Sequence, residues 1–288
     1  MNCSQVNKSN QDEVPVVSQC AQVNKSNQDE VPVVSQCAQV NKSNQDEVVN
    51  KLPLDEAIIK SQYFLIQSPL ETADLLESEC VLDGSPHDTL IIFTHGAGAN
   101  MHSDYMQDMV KGLLDKGAEH GIGVLRFNFP YMRANVLDGK RRPPDRAPKI
   151  LKDFNIHIKA IRAEYSPKRI ILMGKSMGGR MAAILAADTP VDGVICLGYP
   201  FIPLKGGEPR LAPIEECQAP VCVIQGERDK FGGKGQVELW PVMEKTRLHW
   251  LTDGDHSFKP RKSSGTTQEA NLNAAISHSI DFIRGLDA

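Results

Sequence analysis

The sequence predicts an α/β domain built on a mostly parallel central sheet with helices on both faces. From Pro53 onward, apolar runs of four to seven residues alternate with stretches of helical periodicity, the pattern of strands exchanging with helices. Runs such as LIIF and VCVI are apolar without interruption, which calls for a sheet buried on both sides. With 41% apolar and 24% charged residues over 288 positions, there is ample material for one large core.

At the N-terminus, QVNKSNQDEVPVVSQCA occupies positions 5–21 and returns unchanged at 22–38, and a third copy departs at Val49. Each 17-residue unit (22 minus 5) offers only a V-P-V-V cluster to bury, too little to offset the entropy of ordering the chain. Residues 1–50 are therefore predicted to be a disordered tail, and 51–288 a single domain. A chain starting near Lys51 is expected to keep the kcat and melting temperature of the full chain. A melting temperature lower by several degrees, or hydrogen-exchange protection at Val14 to Val17, would show that the cluster docks as an extended strand.

The domain opens with two lead-in strands, Tyr63 to Ile66 and Ala73 to Leu82, expected to be antiparallel. Thr89 to Thr94 is a strand. After Ser103, a candidate N-cap, Met109, Val110, Leu113 and Leu114 recur at helical spacing. Gly123 to Phe127 is the next strand, followed by a long loop and a helix carrying Ile150, Phe154, Ile158 and Ile161 on one face. Arg169 to Met173, Val194 to Leu197, Val221 to Gln225 and Leu248 to Leu251 are four more strands, and Leu272, Ile276, Ile280 and Ile283 mark a last helix. In such a sheet the functional loops leave the carboxyl ends of the strands.

Composition excludes several classes. A net charge of −4 supplies no basic field for nucleic acid or anionic membrane. No apolar run approaches the ~18 residues of a membrane span. The opening MNCSQVNKSN lacks the layout of a signal peptide, so a cytoplasmic chain is the expectation. The seven cysteines show no C-x-x-C pairing and are read as free thiols. No zinc spacing is present, and neither a metal nor a cofactor is predicted. The sequence does not specify an oligomeric state.

Gly174-Lys175-Ser176-Met177-Gly178 is a G-x-S-x-G string between the strand RIILM and the helix-like MGGRMAAILAA. The string is common by itself, but a sharp strand-to-helix turn is what would hold a serine with its Oγ exposed. A phosphate-binding loop ending in GKS would need glycine at position 169, where Arg169 stands, and a dinucleotide G-x-G-x-x-G from Gly96 would need a small residue at Met101. HGAGA instead reads as an oxyanion loop, with the Ala97 N–H joining that of Met177. His95 is assigned to the structure of that loop.

A serine nucleophile needs a base, and the base needs a carboxylate. Asp229 follows the strand VCVIQ and His256 follows LHWL, so both fall on the edge that carries Ser176, in the order serine, acid, histidine. Asp229 is preferred to Glu227 because it lies further into its loop. Asp255 adjoins His256, and neighbouring side chains diverge. Arg133 and Arg142, in the stretch after GVLRF, are candidates to hold an anionic group of the substrate.

Together these strings resemble the α/β-hydrolase superfamily, and within its dienelactone-hydrolase-like branch a group of small predicted hydrolases. The resemblance rests on FTHGAGA (93–99), FNFPYM (127–132), RPPDRAP (142–148), GKSMGGR (174–180) and GDHSF (254–258), and covers about residues 60 to 285. It implies an α/β-hydrolase fold and acyl transfer to water by a Ser176, Asp229 and His256 triad. Dienelactone hydrolases proper carry a cysteine nucleophile, whereas Ser176 occupies the elbow here, a departure that argues against ring-opening of dienelactones; an ester or thioester is the expected substrate. The Gly- and Pro-rich segment from Phe201 to Ala219 is too short for a helical lid, so no cap domain is expected. The alternatives are a scaffold that keeps the fold with little turnover, and a peptidase or acyltransferase using the same triad.

Overall fold

The computed structural model describes residues 61–67 and 77–286; the repeats and the predicted domain start at residue 51 lie outside them. Eight strands form one sheet: β1 (Gln62–Gln67), β2 (Glu77–Gly84), β3 (Thr89–Thr94), β4 (Ile122–Phe127), β5 (Arg169–Lys175), β6 (Gly193–Leu197), β7 (Val221–Gly226) and β8 (Arg247–Leu251). Their order is β1-β2-β4-β3-β5-β6-β7-β8. β1 and β2 pair antiparallel, β2 runs antiparallel to β4, and every pairing from β4 to β8 is parallel.

Uninterrupted apolar strands follow from burial on both sides, because successive side chains point to opposite faces. Leu90, Ile92, Leu172, Val194 and Val223 pack with α3 (Ala147–Tyr165) and α4 (Met177–Leu185). Their alternates Ile91, Phe93, Met173, Ile195 and Ile224 pack on the other face with α1 (Asp104–Gly117) and, last in the chain, the helix Gln268–Arg284. Cys80, Cys196 and Cys222 are buried free thiols. No helix among the described residues is long and apolar enough to cross a membrane.

One stretch read as loop is a helix, α2 (Pro130–Asp138). Proline at its first position and Gly139 in the left-handed region (φ 71°) delimit it, but its buried residues are the consecutive Pro130 to Arg133, so no periodic apolar stripe announces it. Only two four-residue helices, α5 (Ala212–Glu215) before β7 and α6 (Lys234–Val237) after it, lie between β6 and β8 apart from a 3-10 turn; with Gln268–Arg284 as α7, the described residues contain no cap.

The parallel register aligns the strand ends. Thr94 lies opposite Gly174, Lys175 opposite Leu197, and Gly226 opposite Leu251. The loops carrying Ala97, Ser176, Asp229 and His256 therefore leave from a single edge.

Candidate active site

Ser176 occupies the turn between β5 and α4 with φ 53° and ψ −111°, a conformation that L-residues rarely adopt and that persists only where surrounding structure imposes it. Its N–H donates to the Leu197 carbonyl at 2.9 Å. A Cβ at Gly174 would collide with the backbone of Gly178, and one at Gly178 would lie 2.6 Å from Thr94 Oγ1 and 2.7 Å from the Thr94 carbonyl. The two glycines of the string are thus what lets β5, α4 and β3 converge around the serine.

Ser176 Oγ lies 2.9 Å from His256 Nε2, and His256 Nδ1 lies 2.7 Å from Asp229 Oδ2. The Asp229 side chain is fully buried, whereas that of His256 is 22% exposed. With Nδ1 against a carboxylate, the neutral ring carries its proton there and turns the Nε2 lone pair toward the serine. Asp229 is itself held: Oδ1 accepts the Phe231 N–H at 2.8 Å, and Oδ2 accepts from Gln225 Nε2 at 3.0 Å. The buried Gln225 amide also donates to the Tyr199 and Gly232 carbonyls, and these acceptors fix which way it points.

Glu227 and Asp255, the two acids nearest in sequence to Asp229 and His256, are engaged elsewhere. Glu227 accepts the Asp253 N–H at 2.9 Å and faces Lys234 at 3.4 Å. Asp255 accepts the N–H groups of Ser257 and Lys259.

The HGAGA loop is braced from within. His95 Nε2 accepts the Phe129 N–H at 3.1 Å, so Nδ1 carries the proton and donates to the Gly96 carbonyl at 2.8 Å. Burial drives the pKa of His95 down to about 4, which leaves it a neutral structural group, as expected. Tyr131 Oη donates to the Ala97 carbonyl at 3.2 Å. Ala97 is exposed, Met177 is half-buried, and neither N–H donates to another described residue.

Arg133 corrects the sequence reading. Its guanidinium is buried and forked onto Asp153 at 2.8 and 3.1 Å, with Nη1 also on Ser78 Oγ and the Asn128 carbonyl. It ties α2 to α3 and has no donor face open to a substrate. Arg142 is bound to Asp138 and Asn135 nearer the surface. Among the described residues no contact joins either arginine to Ser176 or His256. Arg133→Met takes away the guanidinium that donates to both Asp153 oxygens and so breaks a buried ion pair, a change that costs about 3–5 kcal/mol. Thermal unfolding should fall by on the order of 10 °C, with an unchanged melting temperature contradicting this assignment.

Three contacts were not anticipated. Gln225 closes an apolar run and gives no sign that it faces a loop, and the Phe231 ring lies 4.5 Å from the His256 imidazole. Lys175, inside the G-x-S-x-G string, is buried beneath the histidine loop. Two clefts, one between α1 and α7 and one at the opposite end of β3 and β5, include none of Ser176, Asp229 and His256 in their walls.

The sequence pattern of the alpha/beta hydrolase domain matches residues 87–284. Human monoglyceride lipase is 27% identical over 107 residues, 37% of this chain and 32% of the lipase; the chain matches about a third of the length of such curated relatives. Among solved structures, an α/β serine hydrolase without lid from Xanthomonas campestris superposes with a TM-score of 0.56 at 19% identity, covering 81% of this chain and 98% of its own. A dienelactone hydrolase from Anabaena variabilis gives 0.55 at 14% identity, covering 79% and 98%. These two likenesses carry the fold, and the domain match extends from just before β3 to the end of α7, enclosing every loop of the Ser176 edge: the chain belongs to the alpha/beta hydrolase family.

Proposed function

We propose that the protein is a serine hydrolase that cleaves a small-molecule carboxylic ester or thioester through an acyl-enzyme intermediate. The observation that carries this reading is the continuous line from Ser176 Oγ through His256 to Asp229, with contacts of 2.9 and 2.7 Å. Ser176 Oγ attacks the acyl carbonyl as His256 Nε2 takes its proton. Asp229 holds the imidazole in the tautomer that can accept and stabilises the cation that forms. The Ala97 and Met177 N–H groups, which have no other partner among the described residues, receive the negative charge on the carbonyl oxygen. The protonated imidazole then releases its proton to the leaving group, and water repeats the cycle to free the acid.

An ester is the favoured substrate class because it places a carbonyl and a modest leaving group at an edge without a cap, and because the human relative is a monoglyceride lipase. With Arg133 consumed by Asp153, the predicted anion contact there is withdrawn, and the Phe231 ring beside His256 offers an apolar wall instead. Steady-state hydrolysis of a series of short and long acyl esters and thioesters tests the reading. Turnover with saturation on at least one neutral ester is expected. Its absence across the series, in folded protein, would overturn the proposal.

A further inference from the structure

Lys175 is a buried amine for which the reaction above has no use. It ends β5, next to the nucleophile, and its Nζ donates to the backbone carbonyl of His256. The ammonium lies 5.4 Å from the centre of the Phe258 ring and 5.8 Å from that of Tyr105 on α1, within the range of cation–π attraction. On its remaining side is Gly198 in the left-handed region (φ 62°); a Cβ there would stand 2.7 Å from Nζ and 3.4 Å from His256 Nδ1. The groups facing Nζ are thus the His256 carbonyl and imidazole, the two rings, and the carboxylates of Asp229 and Asp255, whose charges favour its protonated form.

The histidine loop needs such a hold. Asp253 (φ 51°) and Phe258 (φ 67°), two non-glycine residues in the left-handed region, flank His256 on either side, a conformation sustained only when neighbours over-determine it. Arg261 grips the Asp253 carboxylate, Arg228 Nε the Asp253 carbonyl at 2.9 Å, and Asn271 the carbonyls of Thr252 and Phe258 at 3.0 and 2.8 Å. These bonds secure the ends of the loop. The bond from Lys175 secures the residue in its middle, from the position adjoining Ser176.

We propose that Lys175 is a positioning residue for the reaction, its ammonium pinning the His256 carbonyl so that Nε2 stays within hydrogen-bonding reach of Ser176 Oγ. The inference rests on the serine-hydrolase reading above. A charge-assisted bond is roughly twice as strong as its neutral counterpart, so the pin weakens when the amine loses its proton. Burial lowers the Lys175 pKa to about 8, against the opposing pull of Asp229 and Asp255. kcat should therefore fall as pH rises through that region, while KM, set by contacts elsewhere, changes little.

Lys175→Met keeps the length and removes the donor. It is expected to lower kcat at neutral pH by about 30- to 100-fold, as for a displaced catalytic group, to change KM less than threefold, and to abolish the alkaline fall. Asp255→Asn keeps the oxygen that accepts from Ser257 and Lys259 but removes the charge, and should move the alkaline fall to lower pH. Wild-type kcat and an unaltered pH profile in Lys175→Met would overturn the proposal. If that variant does not fold, an alkaline fall that Asp255→Asn leaves in place overturns it instead. Failure of the parent reading looks different: Ser176→Ala would then retain activity, whereas failure of the Lys175 role alone leaves Ser176→Ala inactive and Lys175→Met fully active.

Discussion

Ser176→Ala is expected to reduce kcat/KM for any ester substrate by about 10⁴- to 10⁶-fold, the scale on which a triad nucleophile is lost. The fold should survive. The serine side chain has one hydrogen-bond partner among the described residues, His256 Nε2, and the bond from its N–H to Leu197 is retained by alanine. Both residues meet the same backbone penalty at φ 53°, so the melting temperature should stay within a few degrees. Measured together, residual activity above one percent with an unchanged melting curve would exclude Ser176 as nucleophile.

Asp229→Asn should be nearly as severe, with kcat down by about 10⁴-fold, and it should also cost stability. Each carboxylate oxygen accepts an N–H donor in the wild type, from Phe231 on one side and from Gln225 and His256 on the other. An asparagine amide has to set its own NH₂ against one of these donors whichever way it turns. If it faces His256, the ring is pushed to the wrong tautomer; if it faces Phe231, a buried N–H loses its acceptor, at about 1–3 kcal/mol. Thermal unfolding and hydrolysis measured on one preparation separate the two effects. An active Asp229→Asn with an inactive Glu227→Gln would transfer the role to Glu227, although that carboxylate now caps the Asp253 N–H.

What could be read from the chain alone follows from where the physical signal is local. β3, β5, β6 and β7 are buried on both faces, so burial writes itself into an unbroken apolar run, and the predicted bounds agree with the strands to within two residues. That Ser176, Asp229 and His256 lie close together was legible because a parallel sheet brings its strand ends together whatever the intervening sequence. α2 was not, since its entry and exit rest on Pro130 and Gly139 without a periodic face between them. Arg133 is a candidate for holding a substrate anion in the sequence alone because spacing reveals that a cation leaves the catalytic edge but not that Asp153, on a later helix, meets it. Gln225 and Lys175 escaped notice for the same reason: each acts on a residue of a distant loop, Asp229 and His256, through contacts that only the assembled sheet creates.

The central claim is that Ser176 is a nucleophile activated by His256, and covalent capture tests it most directly. A fluorophosphonate reacts with an activated serine and leaves a stable adduct that peptide mass spectrometry can place. The expected result is one adduct per chain, on the peptide containing Ser176, absent from Ser176→Ala and slowed by orders of magnitude in His256→Asn. No labelling of folded wild-type protein, or an adduct on any other residue, would contradict the account and favour a binding protein that keeps the hydrolase fold without its chemistry.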